Sequence, residues 1–262
     1  MTAAPPPPPR RTIPAATLVI FRHAPDGGAP QVLMVQRARE MRFAGGMAVF
    51  PGGRIDEADR VLAAAVAPHL ASDDDPDQGA ARIAAVRETL EETGLLLGLT
   101  RPVTAAEARA ARTLLEAEGA LAPVLDRFGW TLALDRLAPF ARWCPDWDGA
   151  FDTRFFLADL GTGDVELTVD ATENTRLFWT SAAGALAMAD NGEIGVIFPT
   201  RRNLDRLAQF ASFAEAAKHA AAHPVRTIAP FQEERDGELH LCIPEGLGYP
   251  VTAQPLATVR RG

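Results

Sequence analysis

Apolar runs separated by turn residues occupy the first part of the chain and predict a β-hairpin followed by a third strand. Residues 16–22 form a continuous apolar run that is typical of a buried strand, and residues 31–36 form a second run. The Asp-Gly-Gly sequence at residues 26–28 predicts the turn between them. A shorter run at residues 47–50, closed by Pro-Gly-Gly at residues 51–53, predicts the third strand.

Helical periodicity follows at residues 80–93, where apolar side chains recur at intervals of three and four. Asp77 suits the N-cap of this helix, and Gly94 stands where a helix commonly ends in glycine. The helix is therefore expected to bury one stripe of side chains, made of Ile83, Val86 and Leu90.

The rest of the chain mixes predicted helices and strands. Residues 103–128 are rich in Ala, Glu, Arg and Leu and predict one or two helices. The later pattern predicts strands at 151–160 and 176–180, helices at 181–190 and 203–222, and a hairpin of 225–231 with 238–242 around Asp236 and Gly237. This order predicts an α+β fold or a layered α/β/α domain, with 103–128 as an added helical region.

Composition and charge narrow the choice of partners. Hydrophobic residues make up 47% of the 262 residues, which is enough for a sizeable core. Residues 1–14 include five consecutive prolines and predict a disordered tail, so residues 15–262 are expected to form a single domain. The net charge of -8 disfavours DNA as a partner. A phosphate ester would need a local cation here, and a metal ion is the first candidate.

The sequence contains neither a secretory signal nor an apolar run of about 20 residues, the length of a membrane span. Membrane attachment is therefore not expected, and a cytoplasmic location is. Cys144 and Cys242 are expected to be reduced thiols.

Three carboxylates share one face of the predicted helix at 80–93. At about 100° per residue, Glu91 and Glu92 lie roughly 60° and 40° to either side of Glu88, opposite the apolar stripe. Such carboxylates repel one another without a counter-charge, and their oxygens suit Mg²⁺. The alternative is a solvated acidic face on which Arg87 pairs with Glu91. The glycine loop at residues 51–53 favours the metal, because glycine lets backbone groups approach a phosphate closely.

These residues resemble the Nudix hydrolase superfamily, whose box combines a glycine, an acidic residue and an Arg-Glu-x-x-Glu-Glu-x-Gly helix. The matching residues are Gly53, Arg87, Glu88, Glu91, Glu92, Gly94 and Leu95. Asp59 stands at the position of the first glutamate, and Thr89 stands where an aliphatic residue is usual. The gap of seven residues is extended to residues 60–86, an insertion of about 60–79. This insertion is expected to form a lobe on the rim of the site.

A narrower resemblance, to coenzyme A and acyl-coenzyme A diphosphatases of the peroxisomal-enzyme type, rests on the split box and on flanking segments. These segments are Arg37, 41–43, 45–47, 50–53, 151–157, 173–179 and 198–200.

The superfamily resemblance implies a Nudix-like α/β/α sandwich with a mixed sheet, in which Glu88, Glu91 and Glu92 hold Mg²⁺ or Mn²⁺. It implies that Arg87 orients a box carboxylate through an ion pair. The general base is left open between Glu91 and Glu173, and the alternative for Glu173 is a surface loop residue.

The expected reaction is hydrolysis of the pyrophosphate bond of a nucleoside diphosphate linked to another group. The branch resemblance makes that substrate coenzyme A or its thioesters, with Arg37, Arg42, Gly52 and Gly53 as phosphate-binding residues. ADP-ribose, dinucleotides and capped RNA ends are alternatives, as is a non-catalytic Nudix nucleotide sensor. A homodimer also stays open.

Overall fold

A computed structural model describes residues 10–41, 44–72, 75–161, 167 and 174–259. The strands are β1 (Ile13–Arg22), β2 (Gln31–Arg37), β3 (Ala48–Val49), β4 (Gly52–Arg54), β5 (Ala138–Trp143), β6 (Phe151–Asp159), β7 (Asn174–Ser181), β8 (Thr227–Ile228), β9 (Phe231–Arg235), β10 (Glu238–Cys242) and β11 (Ala253–Pro255). The helices are α1 (Glu57–Val66), α2 (Gln78–Thr93), α3 (Ala105–Glu118), α4 (Leu121–Phe128), α5 (Ala182–Asp190), α6 (Phe198–Leu207) and α7 (Phe213–Ala222). None of these helices combines the length and the apolar character needed to cross a membrane.

The central sheet is mixed. Its strands run in the order β3-β2-β1-β6-β5-β8, while β4 pairs with β1 and β7 pairs with β2. β1 runs parallel to β6, and β5 runs parallel to β8, whereas the other pairs are antiparallel. A small separate sheet contains β11, β10 and β9.

Side chains of β1 alternate between two hydrophobic cores, one on each face of the sheet. Leu18 and Ile20 pack with apolar residues of α2, α3 and α4. Val19 and Phe21 pack with those of α5, α6 and α7 on the opposite face. The mixed sheet thus lies between two helical layers, which confirms the predicted α+β class and α/β/α sandwich.

Most predicted elements are present, including the β1–β2 hairpin and α2. Asp77 is the N-cap residue of α2, although its side chain does not cap the helix, and Gly94 ends it with a φ of 75°. The predicted helical region contains the two helices α3 and α4. Both cysteines are free thiols, as expected.

Two predictions in the C-terminal part were wrong. The single helix predicted at 203–222 is two helices, and Ser212 starts the second by accepting a hydrogen bond from the amide of Glu215. The C-terminal hairpin is formed by β9 and β10, so its first strand spans 231–235 and not 225–231. Asp236 and Gly237 have φ values of 52° and 80°, and this tight turn pairs Arg235 directly with Glu238.

β1 begins inside the segment that was predicted to be a disordered tail. Ile13 and Pro14 belong to the strand, and the backbone amide of Arg11 donates to Asp148. Residues 1–9 lie outside the described residues.

Part of the insertion packs into the hydrophobic core. The expected lobe on the rim of the site therefore does not describe the whole insertion. α1 packs against α2, where Ala63 and Ala67 are buried beside Gly79. Small side chains on both helices allow this close approach. At the base of the insertion, the guanidinium of Arg60 binds both carboxylate oxygens of Asp77, at 2.9 and 3.2 Å.

An ion-pair cluster fastens the C-terminal part of the insertion to the sheet. Asp75 accepts hydrogen bonds from Nε and Nη2 of Arg154 at 2.9 and 2.6 Å. Asp152 binds Arg142 through both of its oxygens, at 2.8 and 2.7 Å, and lies 3.4 Å from Arg154. Residues 72–77 of the insertion are rich in aspartate. Of these, Asp75 and Asp77 each form an ion pair with an arginine.

Candidate active site

The carboxylates of Glu88 and Glu92 on α2 lie beside the glycine loop, because β4 holds that loop against β1. Gly53 pairs with Ala16, and Gly52 pairs with Thr17. A Cβ atom at Gly53 would overlap the carboxyl group of Glu88 and displace it, so glycine at this position lets the carboxyl group lie against the loop. The backbone amide of Gly52 donates to Oε2 of Glu92 at 2.9 Å. The structure therefore brings Gly52, Gly53, Glu88 and Glu92 together.

Arg87 lies at the centre of the site and contacts four carboxylates. Its Nη1 donates to Glu88 at 2.9 Å and to Glu91 at 3.1 Å. Its Nε and Nη2 bind the two oxygens of Asp59 at 3.1 and 2.9 Å, and Asp56 lies 3.4 Å away. Nη2 also donates to the backbone carbonyl of Arg54 at 2.9 Å. The Arg87 side chain is only 4% exposed, so these contacts hold the glycine loop, α1 and α2 in one arrangement.

Negative charge exceeds positive charge around Arg87, and the pKa values reflect it. Burial, together with repulsion from Glu91 and Glu92, raises the pKa of Glu88 to about 8, although Arg87 opposes the rise. Burial also raises the pKa of Glu91, again against the effect of Arg87. Burial disfavours the charged form of Arg87, but its bonds to Asp59 and the charges of Glu88 and Glu91 raise its pKa overall. An additional cation would therefore reduce the repulsion among these carboxylates.

Asp59 stands at the position of the first glutamate of the box. It lies in the first turn of α1, is 2% exposed, and reaches Arg87 through both oxygens while its Oδ2 also accepts from the amide of Asp56. The shorter side chain suffices because α1 packs directly against α2.

The end of the carboxylate face near Glu92 is closed by β2 and β7. Nη1 of Arg37 lies 4.0 Å from Oε1 of Glu92, and Nδ2 of Asn174 lies 3.5 Å from the same oxygen. Arg37 therefore lies at the site, as expected, but its nearest charged neighbour is a box carboxylate. Arg42 and Glu173 lie outside the described residues.

Comparison with known proteins decides the family. The chain matches no family model. It is 31% identical to a NUDIX hydrolase from Alicyclobacillus acidocaldarius, with a TM-score of 0.67, and the match covers 80% of this chain and 96% of that one. The chain belongs to the Nudix hydrolases. It is a Nudix pyrophosphohydrolase. An enzyme is therefore favoured over the alternative of a non-catalytic sensor.

Two other Nudix structures match at lower similarity. The NUDIX domain of Shewanella oneidensis NrtR, complexed with ADP ribose, is 14% identical with a TM-score of 0.41; the match covers 77% of this chain and 90% of that one. The Nudix hydrolase RenU from M. Smegmatis is 17% identical with a TM-score of 0.40, covering 76% and 84%.

Nudix hydrolases use divalent metals, and the donor chemistry of this site fits such an ion. Glu88, Glu91 and Glu92 supply hard oxygen donors, and Arg87 leaves part of the clustered negative charge uncompensated. Across the described ranges, no three His, Cys, Asp or Glu side chains converge on one point as they do around a bound ion. Nη1 of Arg87 donates to both Glu88 and Glu91, so a cation would compete with it for these oxygens.

The Nudix site contains one residue that sequence reasoning missed entirely. Asn174 is 2% exposed and contacts Glu92 from β7, 82 positions away in the chain. It follows directly after Glu173, the residue that the sequence analysis selected, but an isolated asparagine in a segment of mixed character gave no signal of its own.

Proposed function

We propose that this Nudix pyrophosphohydrolase is a divalent-metal-dependent diphosphatase of coenzyme A or its acyl thioesters. Water would cleave the bond between the two phosphates, giving 3′,5′-ADP and 4′-phosphopantetheine or its acyl form. The observation that carries the metal-dependent part is the group of four carboxylates around the buried Arg87, which one guanidinium does not neutralise. The coenzyme A part rests on the split box and its flanking segments.

In this proposal Glu88, Glu91 and Glu92 hold Mg²⁺ or Mn²⁺. When bound, the ion neutralises charge on the phosphoryl oxygens and lowers the pKa of water. Arg87 orients Glu88 and Glu91 through its hydrogen bonds of 2.9 and 3.1 Å. Gly52 and Gly53 let the backbone come close to its surroundings, because a Cβ atom at either position would overlap neighbouring atoms.

Glu91 is the described candidate for the general base. Its side chain is 31% exposed, so it can reach water at the mouth of the site. Burial raises its pKa, which makes it a stronger proton acceptor than an ordinary glutamate. The proton of the attacking water would pass to Glu91, and the bridging oxygen would leave with the departing phosphate. Glu173 remains a second candidate from the sequence.

Arginines that flank the glycine loop in sequence support an anionic substrate on an acidic protein. Arg37 is 15% exposed beside Glu92, while Arg39 and Arg54 are exposed. We assign the extra 3′-phosphate of coenzyme A to Arg37 or Arg42, because a planar guanidinium binds two phosphate oxygens at once.

The test is a substrate panel of coenzyme A, acetyl-coenzyme A, dephospho-coenzyme A, ADP-ribose and a dinucleotide, each with Mg²⁺ and with EDTA. Mass spectrometry identifies the products. The proposal expects the highest kcat/KM for coenzyme A or its thioester and no turnover with EDTA. A higher kcat/KM for ADP-ribose or the dinucleotide would assign the alternative substrate class to the same chemistry.

A further inference from the structure

Asn174 and Arg37 form a cross-strand pair at the end of the carboxylate face. They lie opposite each other in the β2–β7 ladder, where the register shifts between Gln36 and Arg37. The irregularity places both side chains next to Glu92. Asn174 is buried there with 2% exposure, so its amide group faces protein and the interior of the site.

The two oxygens of Glu92 are held from different sides. Oε2 accepts a hydrogen bond of 2.9 Å from the backbone amide of Gly52, which fixes it to the glycine loop. Oε1 faces Nδ2 of Asn174 at 3.5 Å, with Nη1 of Arg37 at 4.0 Å. The Glu92 carboxylate is therefore contacted by a backbone amide at one oxygen and by the side chains of Asn174 and Arg37 at the other.

The same pair also carries unused hydrogen-bonding capacity. Oδ1 of Asn174 and Nε of Arg37 are buried and have no hydrogen-bond partner among the described residues. Buried polar atoms are normally paired with protein or ordered water. An acceptor without a partner, beside a carboxylate assigned to a metal, is suited to a water molecule that accompanies the ion.

We propose that Asn174 is a positioning residue for the metal site. Its Nδ2 holds Oε1 of Glu92 in place, and its Oδ1 accepts a hydrogen bond from a water in the outer shell of the cation. This inference rests on the proposed metal dependence of the enzyme. It adds a residue from β7 to a site otherwise built from β2, the glycine loop, α1 and α2.

The main variant is Asn174→Leu, which keeps a similar volume but removes both the donor and the acceptor. We expect the dissociation constant for Mn²⁺, measured by titration calorimetry without substrate, to rise about 10- to 100-fold. The Mg²⁺-induced increase in Tm should shrink accordingly. In this variant, kcat at saturating Mg²⁺ should be much closer to the wild-type value than the activity at limiting Mg²⁺ is.

Asn203→Leu is the matched control. Asn203 is also fully buried, but it belongs to α6 in the opposite core, where it accepts a hydrogen bond of 2.8 Å from Tyr249. Its replacement should lower Tm without changing the affinity for Mn²⁺. Asn174→Ser, which keeps a smaller donor and acceptor, should bind Mn²⁺ more tightly than Asn174→Leu and serves as a second variant if the leucine protein does not fold.

A separate arm uses Glu92→Gln to distinguish two failures. If wild type binds no Mn²⁺, or if Glu92→Gln leaves its affinity unchanged, the proposed metal site is wrong and the role of Asn174 falls with it. If Glu92→Gln weakens binding but Asn174→Leu and Asn174→Ser do not, only the role of Asn174 is overturned.

Discussion

Arg87 and Asp59 form a two-pronged buried ion pair that joins α2 to α1. Their side chains are 4% and 2% exposed, and the bonds measure 2.9 and 3.1 Å. Asp59 lies in the first turn of α1, and Arg87 belongs to α2. The pair therefore supports both the packing of the helices and the orientation of the carboxylates that Arg87 contacts.

Asp59→Ala should lower both stability and activity. Removing one partner of a buried ion pair costs about 3–5 kcal/mol. We expect a loss of this size in urea unfolding, together with a lower kcat because Glu88 and Glu91 lose a fixed Arg87. Asp56→Ala is the comparison: Asp56 lies 3.4 Å from Arg87 but is 57% exposed, and it is the N-cap residue of α1, so its loss should cost about 0.5–2 kcal/mol, less than that of Asp59. Equal effects of the two substitutions would contradict this role for Asp59.

Glu92→Gln should abolish most activity while the fold survives, because it removes a ligand charge and keeps the size of the side chain. We expect kcat at saturating Mg²⁺ to fall by roughly 10²-fold or more. Glu116→Gln, on the exposed side of α3, provides the control. A near-wild-type kcat for Glu92→Gln would show that Glu92 is not a metal ligand.

Asp75→Ala should loosen the insertion. Its carboxylate is 14% exposed and binds Arg154, which is 6% exposed. The expected loss is about 3 kcal/mol, at the low end for a buried pair, because Arg154 keeps Asp152. Limited proteolysis should then cut the insertion faster than in wild type. Glu57→Ala, which breaks a pair with an 82% exposed carboxylate, should leave the cleavage rate unchanged; faster cleavage there too would argue against a specific tie.

Arg37→Ala and Arg42→Ala test the contact with the 3′-phosphate. We expect the preference for coenzyme A over dephospho-coenzyme A, measured as a ratio of kcat/KM values, to fall by about 1–3 kcal/mol, or roughly five- to 150-fold, in at least one variant. The ratio matters because Arg37 also lies near Glu92 and its loss can slow both substrates. Arg176→Ala, on the exposed part of β7, is the control. An unchanged ratio in both variants would remove these arginines from substrate recognition.

Local patterns were sufficient for several of the elements that form the sandwich. The apolar runs of β1 and β2 and the period of α2 follow from burial on one or both faces, which a single segment records. β5 was missed because Pro139 and Arg142 interrupt its apolar pattern, although Phe140 and Trp143 are buried. The break between α6 and α7 was missed because apolar residues continue across it.

The site was predictable where its residues are neighbours on one helix. Glu88, Glu91 and Glu92 share a face of α2 by helical geometry alone. Asn174 comes from β7 and reaches Glu92 only through strand pairing with Arg37, a relationship that the sequence does not display. The role of Asp59 depended on how α1 packs, because its carboxylate needs close contact between the helices to reach Arg87.

The ion pair between Arg60 and Asp77 has a consequence for how such an enzyme can change. It brings residues 17 positions apart within 2.9 Å, so the chain between them leaves and returns through nearly the same point. The segment between Arg60 and Asp77 can vary in length without moving the residues on either side of it, which adjoin the active site. A motif defined by fixed spacing would therefore overlook chains of this kind, since proximity in space, and not distance along the polypeptide, unites the two halves.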